Sequence, residues 1–296
     1  MTNIENKKLA ILDAFQQQIV ILNINTAQVE TIIHDIGHGD GIQIDIDNGY
    51  FYWTDMGPNR DGEDFLHADG AIFRSKLDGS EKQKILGNGQ LYTPKQLKFD
   101  EVSQKLYWCD REGGAIYRAD TDGGHLETLL NRGQAGVYPK NKLDQCVGIA
   151  LDKANGHLYW TQKGTVKGHM GRIFRADLDY CNSSPCHNIQ TLLNHLPEPI
   201  DLEIDDQNRI LYWTDRGAPP DGNSLNCARI TASGLKDHQV LVRGFKEAIG
   251  LVLDGPHIYV SELLGSVYRV HLNSLEKELF YSDGQAITGM VLYSEK

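Results

Sequence analysis

LYWTD at 211–215 has near-copies along the chain: FYWTD at 51–55, LYWCD at 106–110, LYWTQ at 158–162 and IYVSE at 258–262. Their tyrosines, Tyr52, Tyr107, Tyr159, Tyr212 and Tyr259, are spaced by 55, 52, 53 and 47 residues. Before each tyrosine runs an alternating apolar stretch ending in Asp: GIQIDID, PKQLKFD, CVGIALD, PIDLEID and AIGLVLD. After it come a third stretch, such as GAIYRADTDG or GRIFRADLD, and a fourth, such as ETLL or QVLV. β-Branched and aromatic residues at period two, bounded by Gly, Asp and Asn, spell short strands and turns. Four strands per repeat of this length predict propeller blades.

The chain ends complete the count. Residues 8–33 supply strands two to four of a blade without a first strand, and 286–294 supply a first strand alone. Paired in space they make a sixth blade and remove the free edges of an open sheet. The expectation is an all-β, six-bladed β-propeller forming one domain over 1–296.

The motifs resemble the YWTD-type propellers of the low-density lipoprotein receptor family, and the resemblance covers essentially the full length. It implies that the Tyr, Trp, Thr and Asp of the motif are scaffold. Trp53, Trp108, Trp160 and Trp213 are therefore expected in the core.

Function is sought where the repeat is broken. Blade two joins its second and third strands with REGG, but three other blades insert 56–70, 163–171 and 216–227. Topology puts all three on one face of the disc, with 131–145 beside them, around a mouth on the central axis. Arg111, Lys163 and Arg216 each follow the motif directly, so the same position in successive blades carries a cation suited to an oxyanion or carbonyl. With His67 and His169, from two insertions, they are the candidate catalytic residues.

The candidate ligand-binding residues are His38 and Asp40 before an inner strand, Phe65, Leu66 and Tyr138 on the rim, and Gln145, Gln162 and Glu262. Gln43, Gln96 and Asp201 join them from the inner strands. Aligned on their terminal Asp, those strands place Gln43, Gln96, Gly148, Asp201, Gly250 and Gly289 at one level, and Asp45, Lys98, Ala150, Glu203, Val252 and Val291 two residues later. This predicts either a polar axial channel or an internally paired one, with Lys98 on Asp45 or Glu203. Asp45, Asp201 and Glu203 also offer oxygen ligands for Ca²⁺ or Mg²⁺, although no tight metal motif is present and no cofactor is expected.

A net charge of −11 argues against a nucleic-acid partner. No apolar run reaches the ~20 residues of a membrane span. MTNIENKKLA lacks the apolar core of a secretory signal, which points to a cytoplasmic protein with reduced thiols. Cys181 and Cys186 in DYCNSSPCHN would close a small loop if oxidised, and Asn182 opens a formal glycosylation sequon.

No nucleophile elbow, HExxH, P-loop or dinucleotide fingerprint occurs. QCVGIALD, LYWTQKG and GRIFRADLD resemble stand-alone propellers of fungal natural-product pathways, some of which are hetero-Diels–Alderases. The resemblance implies a cyclase or lyase acting on a small molecule by orientation and carbonyl polarisation, a role that needs no dedicated nucleophile. Two other functions fit the same architecture: a protein-binding propeller, and a lactonase dependent on a divalent metal.

Overall fold

The computed structural model describes residues 6–59, 65–134, 137–138, 140–179 and 185–294. Cys181 and Asn182, and with them the Cys181–Cys186 pairing, lie outside the described residues. Among those described, twenty-four strands form six four-stranded antiparallel sheets. In the closing blade, Ile287–Ser294 pairs with Lys7–Asp13 in the register Ala10↔Val291, and Gln18–Asn23 and Val29–His34 complete the sheet.

The repeated dipeptide explains why the blades pack as a ring. Successive side chains on a strand point to opposite faces of its sheet. Each motif Tyr therefore faces the next blade and each Trp the previous one. Trp160 packs with Tyr107 between blades two and three, and Trp213 with Tyr159 between three and four. All four tryptophans are fully buried. Trp53 and Trp160 stack on Phe73 and Phe174 of the third strand at 5.6 and 5.1 Å. Removing such a ring from water contributes roughly 4–6 kcal/mol of gross stabilisation at ~25 cal/mol per Å².

The motif hydroxyl stitches neighbouring blades together. Thr54 Oγ1 accepts the Gly41 N–H of its own inner strand at 2.8 Å and donates to Lys95 O of the next at 2.9 Å. Thr161 repeats this toward Ile200 O, Thr214 toward Ile249 O and Ser261 toward Thr288 O. In blade two, Cys109 Sγ makes the bond to Gly148 O at 3.4 Å. Thr288 Oγ1, donating to Gly39 O at 2.9 Å, closes the ring.

The inner strands approach so closely that some positions exclude a side chain. A Cβ on Gly148 would lie 2.0 Å from Ile200 O, and one on Gly289 would lie 2.3 Å from Asp40 O. Gly148→Ala is therefore expected to cost about 2–3 kcal/mol, seen as a melting temperature lowered by roughly 5–10 °C. An unchanged melting temperature would show that the axis has slack.

Two readings of the sequence need correction. Gln43, not Asp45, lies opposite Tyr52, as Lys98 lies opposite Tyr107 and Glu203 opposite Tyr212. The inner strand of blade one thus ends functionally at Asp45, and the matching levels are Gly41 with Gln96 and Asp201, then Gln43 with Lys98 and Glu203. Asp45 turns the chain instead, accepting Asn48 N at 3.0 Å and Asn48 Nδ2 at 2.7 Å. The misalignment arose because DID offers two aspartates, and only strand pairing shows which one closes the hairpin. The third insertion is also shorter than expected, since Ser224–Thr231 is already strand.

Candidate functional site at the axial mouth

A cavity of about 240 Å³ opens on the axis at the face carrying the insertions. Twelve of its fourteen lining residues come from two equivalent positions in each of the six blades. The second residue of the inner strand gives Asp40, Lys95, Ile200, Ile249 and Thr288, and Val147, two residues ahead of the strand Ile149–Asp152, takes the equivalent place in blade three. The residue following each motif gives Ala14, Met56, Arg111, Lys163, Arg216 and Leu263. Asn59 and Phe65, from the first insertion, complete the wall.

The lining combines two kinds of side chain. Val147, Ile200 and Ile249 form a buried apolar cluster with Leu263 packed against it. Lys95, Arg111, Lys163 and Arg216 bring four cations to the mouth of a protein whose net charge is −11.

Each cation has a carboxylate behind it. Lys95 is paired with Asp40 and lies 3.1 Å from Met56 Sδ, while Gln96 Nε2 donates to Asp40 Oδ1 at 3.3 Å. Arg111 Nε donates to both oxygens of the fully buried Glu112 at 2.7 and 2.9 Å, and Gln145 Nε2 reaches the same carboxylate at 3.3 Å. Lys163 Nζ lies 3.1 Å from Glu198 Oε1. Arg216 Nε is 3.5 Å from that same oxygen, and its Nη2 is 2.9 Å from Glu247 Oε2. Arg216 Nε is buried without a hydrogen-bond partner.

Burial disfavours charge on the two lysines. Lys95 is lowered from the ordinary lysine value by desolvation, which outweighs the pull of Asp40. Desolvation brings Lys163 down to about 8; Glu198 opposes the shift, and Arg216 and Arg111 add to it.

Eight of the sequence-selected residues lie at or beside the cavity. Arg111, Lys163, Arg216, Asp40 and Phe65 meet at the cavity. Gln96 and Gln145 stand behind it, on Asp40 and Glu112. His38 sits one layer out, its ring edge-on to Phe65 at 5.9 Å.

The remaining residues are elsewhere. His67 and His169 are exposed and do not line the cavity. Leu66 is half-buried outside the lining, and Tyr138 lies stacked on Tyr92 at 4.3 Å. Gln162 and Glu262 occupy the motif's last position and clamp backbone. Gln162 Nε2 donates to Lys142 O at 2.8 Å, and Glu262 Oε1 accepts Lys246 N at 2.6 Å. Asp215 holds Glu198 N in the same manner at 2.9 Å.

Lys95, Glu112, Glu198 and the apolar wall escaped sequence reading. The inner strands break register between Gly39 and Ile42, Pro94 and Leu97, Pro199 and Leu202, and Ala248 and Leu251. Such bulges suspend strict alternation, so Lys95 reaches the mouth although its neighbour Gln96 also faces the axis. The available signal was the repeat position itself, one residue before Gln96.

Below the cavity, Lys98 pairs with Glu203. Asp201 accepts Leu202 N at 2.8 Å and Leu251 N at 3.3 Å. Its carboxyl is pushed up to about 7 by burial, against the pull of Lys98. Because Asp45 serves a turn, the three acids considered for a divalent ion are not assembled. Among the described residues, no three His, Cys, Asp or Glu group to hold a metal.

No protein-family model matches the chain. A protein named low-density lipoprotein receptor-related protein 1 from Pyricularia oryzae is 42% identical over 266 residues, covering 86% of this chain and 84% of that protein. The 3-hydroxyacyl-CoA dehydrogenase-like protein LAM1 of Cochliobolus heterostrophus is 36% identical over 94% of this chain, which spans 61% of that relative. Low-density lipoprotein receptor-related protein 5 of Mus musculus is 28% identical over 52% of this chain and 8% of its own length. A chain in the crystal structure of a nidogen/laminin complex superposes with a TM-score of 0.76 at 20% identity, over 98% of this chain and 99% of that one, and shares the fold. With the six closed blades, these matches place the chain in the low-density lipoprotein receptor-related family of YWTD propellers.

Proposed function

We propose that the axial mouth is the site of a small-molecule enzyme of cyclase or lyase character, acting on a carbonyl compound by orientation and polarisation. The observation that carries this reading is the mixed lining of the cavity: four cations lie beside an apolar cluster, and Arg216 Nε is buried and makes no hydrogen bond, the nearest carboxylate oxygen, Glu198 Oε1, standing 3.5 Å away. An unsatisfied buried donor costs about 1–3 kcal/mol, which a substrate oxygen would recover. Arg111, Lys163 and Arg216 then draw electron density toward the carbonyl oxygen. The wall of Val147, Ile200, Ile249 and Leu263 holds the hydrocarbon.

The reaction that asks least of this inventory is a cyclisation or hetero-cycloaddition. Its bonds reorganise within bound partners, and confinement alone supplies up to ~7–11 kcal/mol. At about 240 Å³ the cavity is below the ~300–1,000 Å³ of ordinary ligand pockets, so it takes the polar head of a larger substrate while the rest lies over the rim.

A thermal-shift screen of carbonyl and carboxylate compounds tests the reading. Stabilisation by an apolar carbonyl compound is expected, with Arg216→Met weakening its binding about 10–100-fold through loss of a charge-assisted hydrogen bond. No stabilisation by any compound, or equal stabilisation of the variant, would overturn it and direct attention to a protein partner.

A further inference from the structure

We propose that Lys163 is a covalent catalytic residue, forming an imine with the ketone or aldehyde carbon of a substrate whose oxygenated arm sits against Arg111 and Arg216. The inference rests on the small-molecule reading of the mouth and specifies its chemistry. Three features of the geometry carry it.

First, Lys163 is 6% exposed and lines the cavity, so its amine meets a bound molecule without meeting bulk water. Second, Glu198 lies 3.1 Å away, where it serves as the proton shuttle, and the Lys167 N–H at 3.2 Å fixes its other oxygen. Third, Glu198 is shared. Arg216 stands 3.5 Å from the oxygen that Lys163 contacts, so the carboxylate keeps a cation when the lysine gives up its own charge. Lys95, the other lysine lining the cavity, lacks this arrangement: Asp40 grips it directly and Met56 Sδ lies 3.1 Å away.

The step balances without a further reagent. Lys163 passes one proton to Glu198, and the nitrogen lone pair bonds to the carbonyl carbon as the C=O π pair moves to oxygen. That oxygen takes two protons in all, one from Glu198 and one from the nitrogen by way of Glu198, and leaves as water. The nitrogen keeps one hydrogen and forms the C=N bond, so an ammonium and a ketone become an iminium and water. The protonated imine carries a positive charge conjugated to the former carbonyl carbon, a stronger electron sink than a hydrogen bond. Desolvation, which brings the amine down to about 8, raises its free-base fraction near neutrality well above that of an ordinary lysine.

The test uses 4-oxopentanoate, which carries a ketone and a carboxylate. The full chain is incubated with it at pH 8 and reduced with cyanoborohydride, and the adduct is located by peptide mapping. The expected result is a dominant adduct on the Lys163 peptide of the wild-type protein, lowered at least about tenfold in Lys163→Arg, which keeps the charge but not the nucleophile. Thermal stabilisation by 4-oxopentanoate should persist in the variant. Mapping the wild-type protein decides the matter even if the variant folds poorly. Stabilisation with adducts spread over surface lysines, or with none, overturns the imine and leaves the small-molecule pocket standing. Absence of stabilisation by this and every other carbonyl compound overturns both.

Discussion

Replacing Lys98 with methionine is expected to destabilise the fold by about 1–3 kcal/mol, less than breaking a fully buried ion pair because Lys98 and Glu203 are both part-buried. Lys98 projects into the axis and pairs with Glu203, and Asp201 stands on the adjoining level. Desolvation works against its charge, but Glu203 and Asp201 together overcome it and raise its pKa above the ordinary lysine value. Without the ammonium, two carboxyl groups share a narrow channel with no cation between them.

The remaining positions at the level of Lys98 include Ala150, Val252 and Val291, so the channel accepts apolar side chains there. The double variant Lys98→Met, Glu203→Met is therefore expected to recover most of the loss. Urea denaturation of the wild type, the single and the double variant measures both effects. A single variant as stable as the wild type would show that the pair contributes nothing.

Stability is also expected to fall as pH rises from about 4 to about 7, with Asp201 responsible for a change on the order of 4 kcal/mol. Burial pushes its carboxyl up to about 7, so the folded state binds a proton that the unfolded chain, titrating near 3.8, releases. The stabilisation is complete below the unfolded value and is lost as pH climbs through the folded one.

Asp215, pushed up to about 7, and Asp110, pushed up to about 6, act in the same direction, both through burial. Lys163 works in another window. Its lowered value penalises the folded state while the amine is charged, and that penalty fades above about 8. Asp100 and Asp152 are lowered, Asp100 by Lys153 and Asp152 by Arg209 acting against desolvation, so they lose stability only at more acid pH. Urea midpoints at pH 5 and pH 8 test the slope, and Asp201→Asn should flatten it while leaving the contributions of Asp110 and Asp215. A midpoint that rises between these values would reverse the assignment.

The sequence by itself determined the fold. The period near 50, the Tyr–Trp alternation and the split terminal blade follow from short-range pattern, because strand periodicity and turn chemistry are local. It also singled out Arg111, Lys163 and Arg216, since a repeat makes equivalent positions comparable and a shared departure visible.

Tertiary structure alone decided which groups those cations meet. Glu198 reaches Lys163 from the next blade, and Glu247 reaches Arg216 from the blade after that. The inner-strand bulges turned Lys95 into the mouth, and pairing with Tyr52 exposed the two-residue slip that had placed Asp45 on the axis. His67 and His169 sit on the inserted loops yet stay exposed, since residue type alone does not set whether a loop side chain turns inward. Contacts between blades depend on how the ring closes, and closure is a property of the whole chain.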